Sequence, residues 1–196
     1  MRSGDLEPMS ATPRVVLIPG LWDSGPEHWQ TYWKAEHPSF VRIRQRDWET
    51  PDRQEWVETL HQAIVADPGP VVLAAHSLGC CLVAHWAAAT YLYSGPDGGG
   101  NVQGALLVAP SDVDAPTYPS GTTGFTPMPL ASLPFPSIVV ASTNDEYLEL
   151  ARAEQFAAAW GSRLEVVGPL GHINSASRLG SWPQGFALLR ELLLER

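Results

Sequence analysis

Short runs of consecutive apolar residues alternate along the chain with segments whose apolar residues recur every third or fourth position. RVVLIP (14–19) and PVVLAAH (70–76) are apolar nearly throughout, as strands buried on both faces of a sheet must be. FVRIR (40–44) alternates like a strand, and VQGALLVAP (102–110), SIVVAS (137–142) and RLEVVG (163–168) complete the set. Helical patterns fall between them. One opens at PEHWQTYW with Pro26 in its first turn, and the next starts near Thr50 and Pro51, with Thr50 as its cap. Trp56, Leu60 and Ile64 then recur at a spacing of four and form one face. LGCCLVAHWAAATYL (78–92), a segment around 147–160 and a last helix from Ser181, Trp182 and Pro183 to the end supply the others. Such alternation predicts an α/β fold with a mainly parallel sheet of about six strands and helices on both faces.

Two stretches interrupt the pattern. SGPDGGGN (94–101) reads as a glycine-rich loop. Residues 111–136 are rich in Pro, Ser, Thr and Gly and are long for a connection, so they are expected to form a small lid or one wall of a pocket. Within them Phe125 and Met128 either line that pocket or anchor the loop. Residues 1–12 are polar and read as a flexible tail, leaving 13–196 as a single domain.

Composition narrows the classes of function. An apolar fraction of 44% with 17% charged residues is that of a folded chain. A net charge of −9 gives no footprint for nucleic acid or an anionic membrane, and RIRQR (42–46) is too small to reverse it. No apolar stretch is long enough to span a bilayer, and the N-terminus has no apolar leader. Cys80 and Cys81 are the only cysteines, and neighbours on a helix point in different directions. With no metal-ligand spacing and no phosphate-cradling glycine motif, neither metal nor cofactor is expected, and the compartment is expected to be cytoplasmic.

The chemistry centres on AHSLG (75–79). It is a near match to the G-x-S-x-G turn that presents a serine between a strand and a helix, with Ala75 and Gly79 as the small flanking residues. Such a serine needs an acid and then a histidine on loops after later strands. Asp145 follows SIVVAS in STNDEY, and His172 follows RLEVVG in PLGHINS. Their order and placement predict a Ser77–Asp145–His172 triad, with the N–H groups of Leu78 and Leu21 as oxyanion donors. Trp22 is expected to wall the substrate pocket. Asp112, Asp114 and Glu146 are alternative acids. His76, on its strand, should point away from Ser77 and support the turn, while His28 and His85 should pack or face solvent.

LIPGLWDSGPEHWQTYW and GHINSASRLGSWPQG (171–185) resemble the α/β-hydrolase superfamily, and more narrowly the small serine hydrolases grouped with retinoblastoma-binding protein 9. The resemblance runs from about residue 14 nearly to the end. It implies a three-layer hydrolase fold with little or no cap domain and esterase-like or peptidase-like hydrolysis of small esters, amides or short peptides without a cofactor. The binding activity in that family's name raises a different class of function, an interaction module with an unused site. No feature of the sequence supports a protein partner. Acyl transfer to an alcohol or amine is a third reading.

Overall fold

The computed structural model describes residues 12–94 and 101–194. The tail expected over 1–12 lies outside these residues except for its last position, as does most of the glycine-rich loop.

Six strands, β1 (Arg14–Ile18), β2 (Val41–Arg42), β3 (Val71–His76), β4 (Val102–Val108), β5 (Ser137–Ala141) and β6 (Arg163–Val166), form one sheet. Its order is β2-β1-β3-β4-β5-β6, and every pairing is parallel. Five α-helices flank it: α1 (Trp29–Glu36), α2 (Arg53–Val65), α3 (Leu78–Ser94), α4 (Leu150–Trp160) and α5 (Pro183–Leu194). Alternate residues of each strand enter different cores. Val16, Ile18, Leu73 and Ala75 pack with α2, α3 and α4, whereas Val15, Leu17, Val72 and Ala74 pack with α1 and α5. The result is three layers, with no separate cap domain among the described residues.

Several boundaries differ from the sequence reading. Helix α1 begins after His28, whose Nδ1 accepts from the Gln30 N–H at 3.2 Å, so Pro26 precedes the helix and does not open it. Helix α2 is capped by Asp52, not Thr50, because its carboxylate reaches both the Gln54 and Glu55 N–H groups. The segment 111–136 contains no helix, yet it is held firmly. Phe125, Met128, Leu133 and Phe135 are buried, His85 Nε2 donates to the Phe125 carbonyl at 2.8 Å, and Trp160 Nε1 donates to the Pro129 carbonyl at 2.8 Å. Phe125 and Met128 therefore anchor the segment in the core, and Tyr118 and Pro119 make it a wall of the cleft described below.

The carboxyl ends of the adjacent strands β1 and β3 are tied by Gln30. Its fully buried side chain donates to the Ile18 carbonyl at 3.1 Å and the Ala74 carbonyl at 3.0 Å. Helix α3 then starts hard against the end of β1. A Cβ on Gly79 would lie 2.5 Å from the Ile18 oxygen and 2.7 Å from that of Pro19. Both are backbone atoms and cannot swing aside. Gly79→Ala is accordingly expected to lower stability by about 1–3 kcal/mol, the usual cost of overpacking, read as a reduced urea midpoint at unchanged m-value.

Candidate active site

Ser77 occupies the turn between β3 and α3 with φ of 56°, a left-handed conformation rare outside glycine. The turn is pinned by bonds from Ser77 N–H to the Val108 carbonyl at 3.0 Å and from Cys80 N–H to the Ser77 carbonyl at 2.9 Å. It sits beyond the carboxyl ends of the parallel strands, where a sheet of this kind leaves its crevice. Loops after β5 and β6 bring the other two candidates to the same edge. His172 Nε2 is 2.8 Å from Ser77 Oγ, and His172 Nδ1 is 2.8 and 2.9 Å from the two Asp145 carboxylate oxygens. Since a carboxylate only accepts, Nδ1 carries the ring proton, and Nε2 is left to accept the Ser77 proton. The Asp145 and His172 side chains are only 1% and 6% exposed, which limits competition from water.

The two loops are joined to each other. Thr143 N–H donates to the Gly168 carbonyl, Leu170 N–H to Ser142 Oγ at 2.9 Å, and Gly171 N–H to Asn144 Oδ1 at 2.7 Å. His76 does not point away from the site. Its ring lies 4.9 Å from that of His172, and its Nε2 donates to the His172 carbonyl at 2.9 Å. It supports the histidine loop more directly than the serine turn. The next carbonyl, Ile173, accepts from Trp29 Nε1 at 3.0 Å. Burial holds His76 well below the ordinary histidine range. His28 packs on it at 4.6 Å between rings and is lowered to about 3, first by burial and then by Arg42 and His172. Both are neutral at pH 7.

The first loop approaches Ser77 so closely that a Cβ on Gly20 would stand 2.7 Å from the serine Cβ and 3.0 Å from Leu78 N. Trp22 and Asp23 both have φ of 64°, and the turn is held by the bond from Trp22 N–H to the Trp48 carbonyl. The N–H groups of Leu21 and Leu78 donate to no protein acceptor among the described residues. The second of these begins α3, so it also lies at the positive end of a long helix. Beside them opens a cleft of about 330 Å³ lined by Leu21, Trp22, Tyr118, Tyr147, Ser77 and His172, among others. Trp22 is 56% exposed at this cleft.

The alternative acids are engaged elsewhere. Arg152 bonds Asp112 at 3.1 Å and Asp114 at 2.8 Å, and Glu146 is exposed. Sequence reasoning missed Ser111, Tyr118 and Tyr147, which share the cleft. Ser111 follows β4 as Asp145 follows β5, and this position at a strand end was the only available signal.

A family model described as serine hydrolase matches residues 15–191. Among solved structures, a YdeN-like hydrolase from Pectobacterium atrosepticum is 33% identical, with a TM-score of 0.78 over 93% of this chain and 91% of that one. The ydeN gene product of Bacillus subtilis is 19% identical at a TM-score of 0.72, covering 94% of this chain and 100% of the other. A monoacylglycerol lipase from Paleococcus ferrophilus shares the fold at 12% identity, with a TM-score of 0.66 over 93% and 95% of the two chains. No curated protein matches the sequence.

The depression of His28 and His76, which His85 shares, makes stability depend on pH in a definite direction. Below about 6.5 the unfolded chain takes up protons that folded His28 and His76 refuse, so stability falls as pH drops from about 6.5 towards 3. His28→Asn, which keeps an oxygen for the cap, should flatten this slope. Urea midpoints measured between pH 7 and 4 check it, and parallel slopes for variant and wild type would refute it.

Proposed function

The chain belongs to the serine hydrolase family, and from that premise we propose that it hydrolyses small esters through a Ser77 acyl-enzyme, with amides and short peptides as harder substrates of the same cycle. The observation that carries this reading is the unbroken hydrogen-bonded series Ser77–His172–Asp145, set beside two N–H groups that have no protein acceptor among the described residues.

In the proposed cycle the ester carbonyl enters the cleft with its oxygen toward the Leu21 and Leu78 N–H groups. His172 Nε2 takes the Ser77 proton as Ser77 Oγ bonds to the carbonyl carbon, and Asp145 stabilises the imidazolium. The negative charge that develops on the carbonyl oxygen falls between the two donors, each worth roughly 3–4 kcal/mol of barrier. Collapse of the intermediate expels the alcohol, which leaves with the proton from His172. Water then attacks the acyl-enzyme by the same route, releasing the acid and restoring Ser77. No cofactor enters any step. A cleft of about 330 Å³ suits a small acyl group, and the exposed Trp22 indole extends an apolar wall toward the alcohol or a longer chain.

The narrower kinship, with the hydrolases grouped with retinoblastoma-binding protein 9, is supported by GHINSASRLGSWPQG. In that segment His172, Ile173 and Trp182 are all buried. An interaction module with an idle site has no observation in its favour, because all three side chains remain within hydrogen-bond distance. A reducing, cytoplasmic setting is supported by two buried free cysteines. No helix among the described residues is long and apolar enough to cross a membrane.

A fluorophosphonate probe tests the proposal. The folded wild type should label, Ser77→Ala should not, and Asp145→Asn should lower kcat by about 10³–10⁴ for an ester substrate. Absence of labelling in folded wild type would sink the hydrolase assignment. Trp22→Ala should raise KM several-fold for butyrate and longer esters while leaving acetate nearly unchanged. Equal effects on both would show that the indole does not meet the substrate.

A further inference from the structure

Ser111 has no part in the cycle just described, yet its hydroxyl oxygen lies 2.8 Å from Ser77 Oγ and the residue is 1% exposed. The protons can be placed by elimination. His172 Nδ1 faces the Asp145 carboxylate and carries the ring proton, so Nε2 accepts from Ser77. Ser77 has then spent its only proton and meets Ser111 with lone pairs alone. The Ser111 hydroxyl must therefore be the donor. Ser111 Oγ has no other hydrogen-bond partner among the described residues. The Tyr118 hydroxyl is near enough to feel it but lies outside bonding geometry.

The backbone carrying Ser111 is fixed from both sides. Its carbonyl accepts from Cys81 Sγ at 3.3 Å and from Val113 N–H at 3.1 Å, and the Asp112 N–H donates to the Tyr147 carbonyl at 3.0 Å. Burial pushes the Cys81 thiol up, so it keeps the proton this bond requires. Cys81 sits on the first turns of the helix that Ser77 precedes, so one rigid element references both serines.

We propose that Ser111 is a positioning residue for the nucleophile: its hydroxyl donates to Ser77 Oγ and holds that side chain in the rotamer that aims its proton at His172. The proposal rests on Ser77 being the nucleophile. A free serine side chain samples three staggered wells, and the bond from Ser111 favours the one that His172 needs. Ser111 acts through Ser77 and not on the substrate, so it governs rate and not binding. Its proton stays in place throughout. Esterified Ser77 oxygen is a poorer acceptor, so the effect falls on acylation more than on release of the acyl group.

Wild type, Ser111→Ala and Ser111→Thr would be compared by the rate of fluorophosphonate labelling and by steady-state hydrolysis of p-nitrophenyl acetate, with thermal melts run in parallel. Ser111→Ala removes one neutral hydrogen bond and should slow labelling and lower kcat/KM about five- to tenfold, with the melting midpoint nearly unchanged. Ser111→Thr keeps the hydroxyl and should react faster than Ser111→Ala. The proposal is overturned if folded Ser111→Ala labels within about twofold of wild type, or if folded Ser111→Thr is no faster than Ser111→Ala. A wild type inert to both reagents would overturn this role together with the hydrolase assignment. A reactive wild type matched by Ser111→Ala would overturn this role alone.

Discussion

The site depends on how closely the backbone after β1 can approach the backbone after β3. The Ile18 carbonyl carries this constraint, because it is bonded to the Gln30 amide on one side and faces the bare Cα of Gly79 on the other. Helix α3 can begin that near only if the chain reverses in one residue, and the left-handed φ of Ser77 is how it reverses. The same approach brings Gly20 against Ser77 Cβ and Leu78 N, which sets the loop's N–H groups beside the helix terminus. The left-handed turn at Ser77 and the pair of N–H groups beside it are thus consequences of one backbone contact. The strain at Ser77, of order 1–3 kcal/mol, is supported by the core on both faces of the sheet.

The proposed cycle adds a second requirement, which concerns the neighbours of His172. His172 has Asp145 on one side and the ring of His76 on another. A charged His76 at that distance would oppose the imidazolium of the proposed cycle. Burial removes this conflict by keeping His76 and His28 neutral, and the resulting N–H of His76 is used to hold the His172 carbonyl. The protein therefore loses some stability at low pH, while the His172 loop stays fixed.

The six strands and most of the helices were legible in the sequence because apolar runs of strand length leave few other readings. Ser77, Asp145 and His172 were legible for a different reason: strand ends share one edge in a parallel sheet, so chain order predicts proximity. Capping was read less well. Asp52 and His28 outcompeted Thr50 and Pro26 because a side-chain acceptor must reach N–H groups two or three residues on, and that depends on backbone angles which spacing does not encode. His76 was misread because strand alternation gives the face a side chain leaves from, while the His172 loop folds back over that face. Ser111 carries no motif at all, and it is brought to Ser77 only by the adjacency of β3 and β4.

The segment 111–136 shows why composition alone misleads about mobility. Its many Pro and Gly residues rule out a helix, but Phe125, Met128, Leu133 and Phe135 fill the core beside α2, α3 and α4. A further tie joins Thr123 to the start of α2, where Arg53 N–H and the Pro51 carbonyl take up both of its backbone groups. A stretch anchored at so many points cannot open and close over the cleft without losing buried apolar area. Tyr118 therefore stands as a fixed wall opposite the loop of Leu21 and Trp22. The cleft beside Ser77 is then permanent in shape, with the exposed Trp22 as its most adjustable edge.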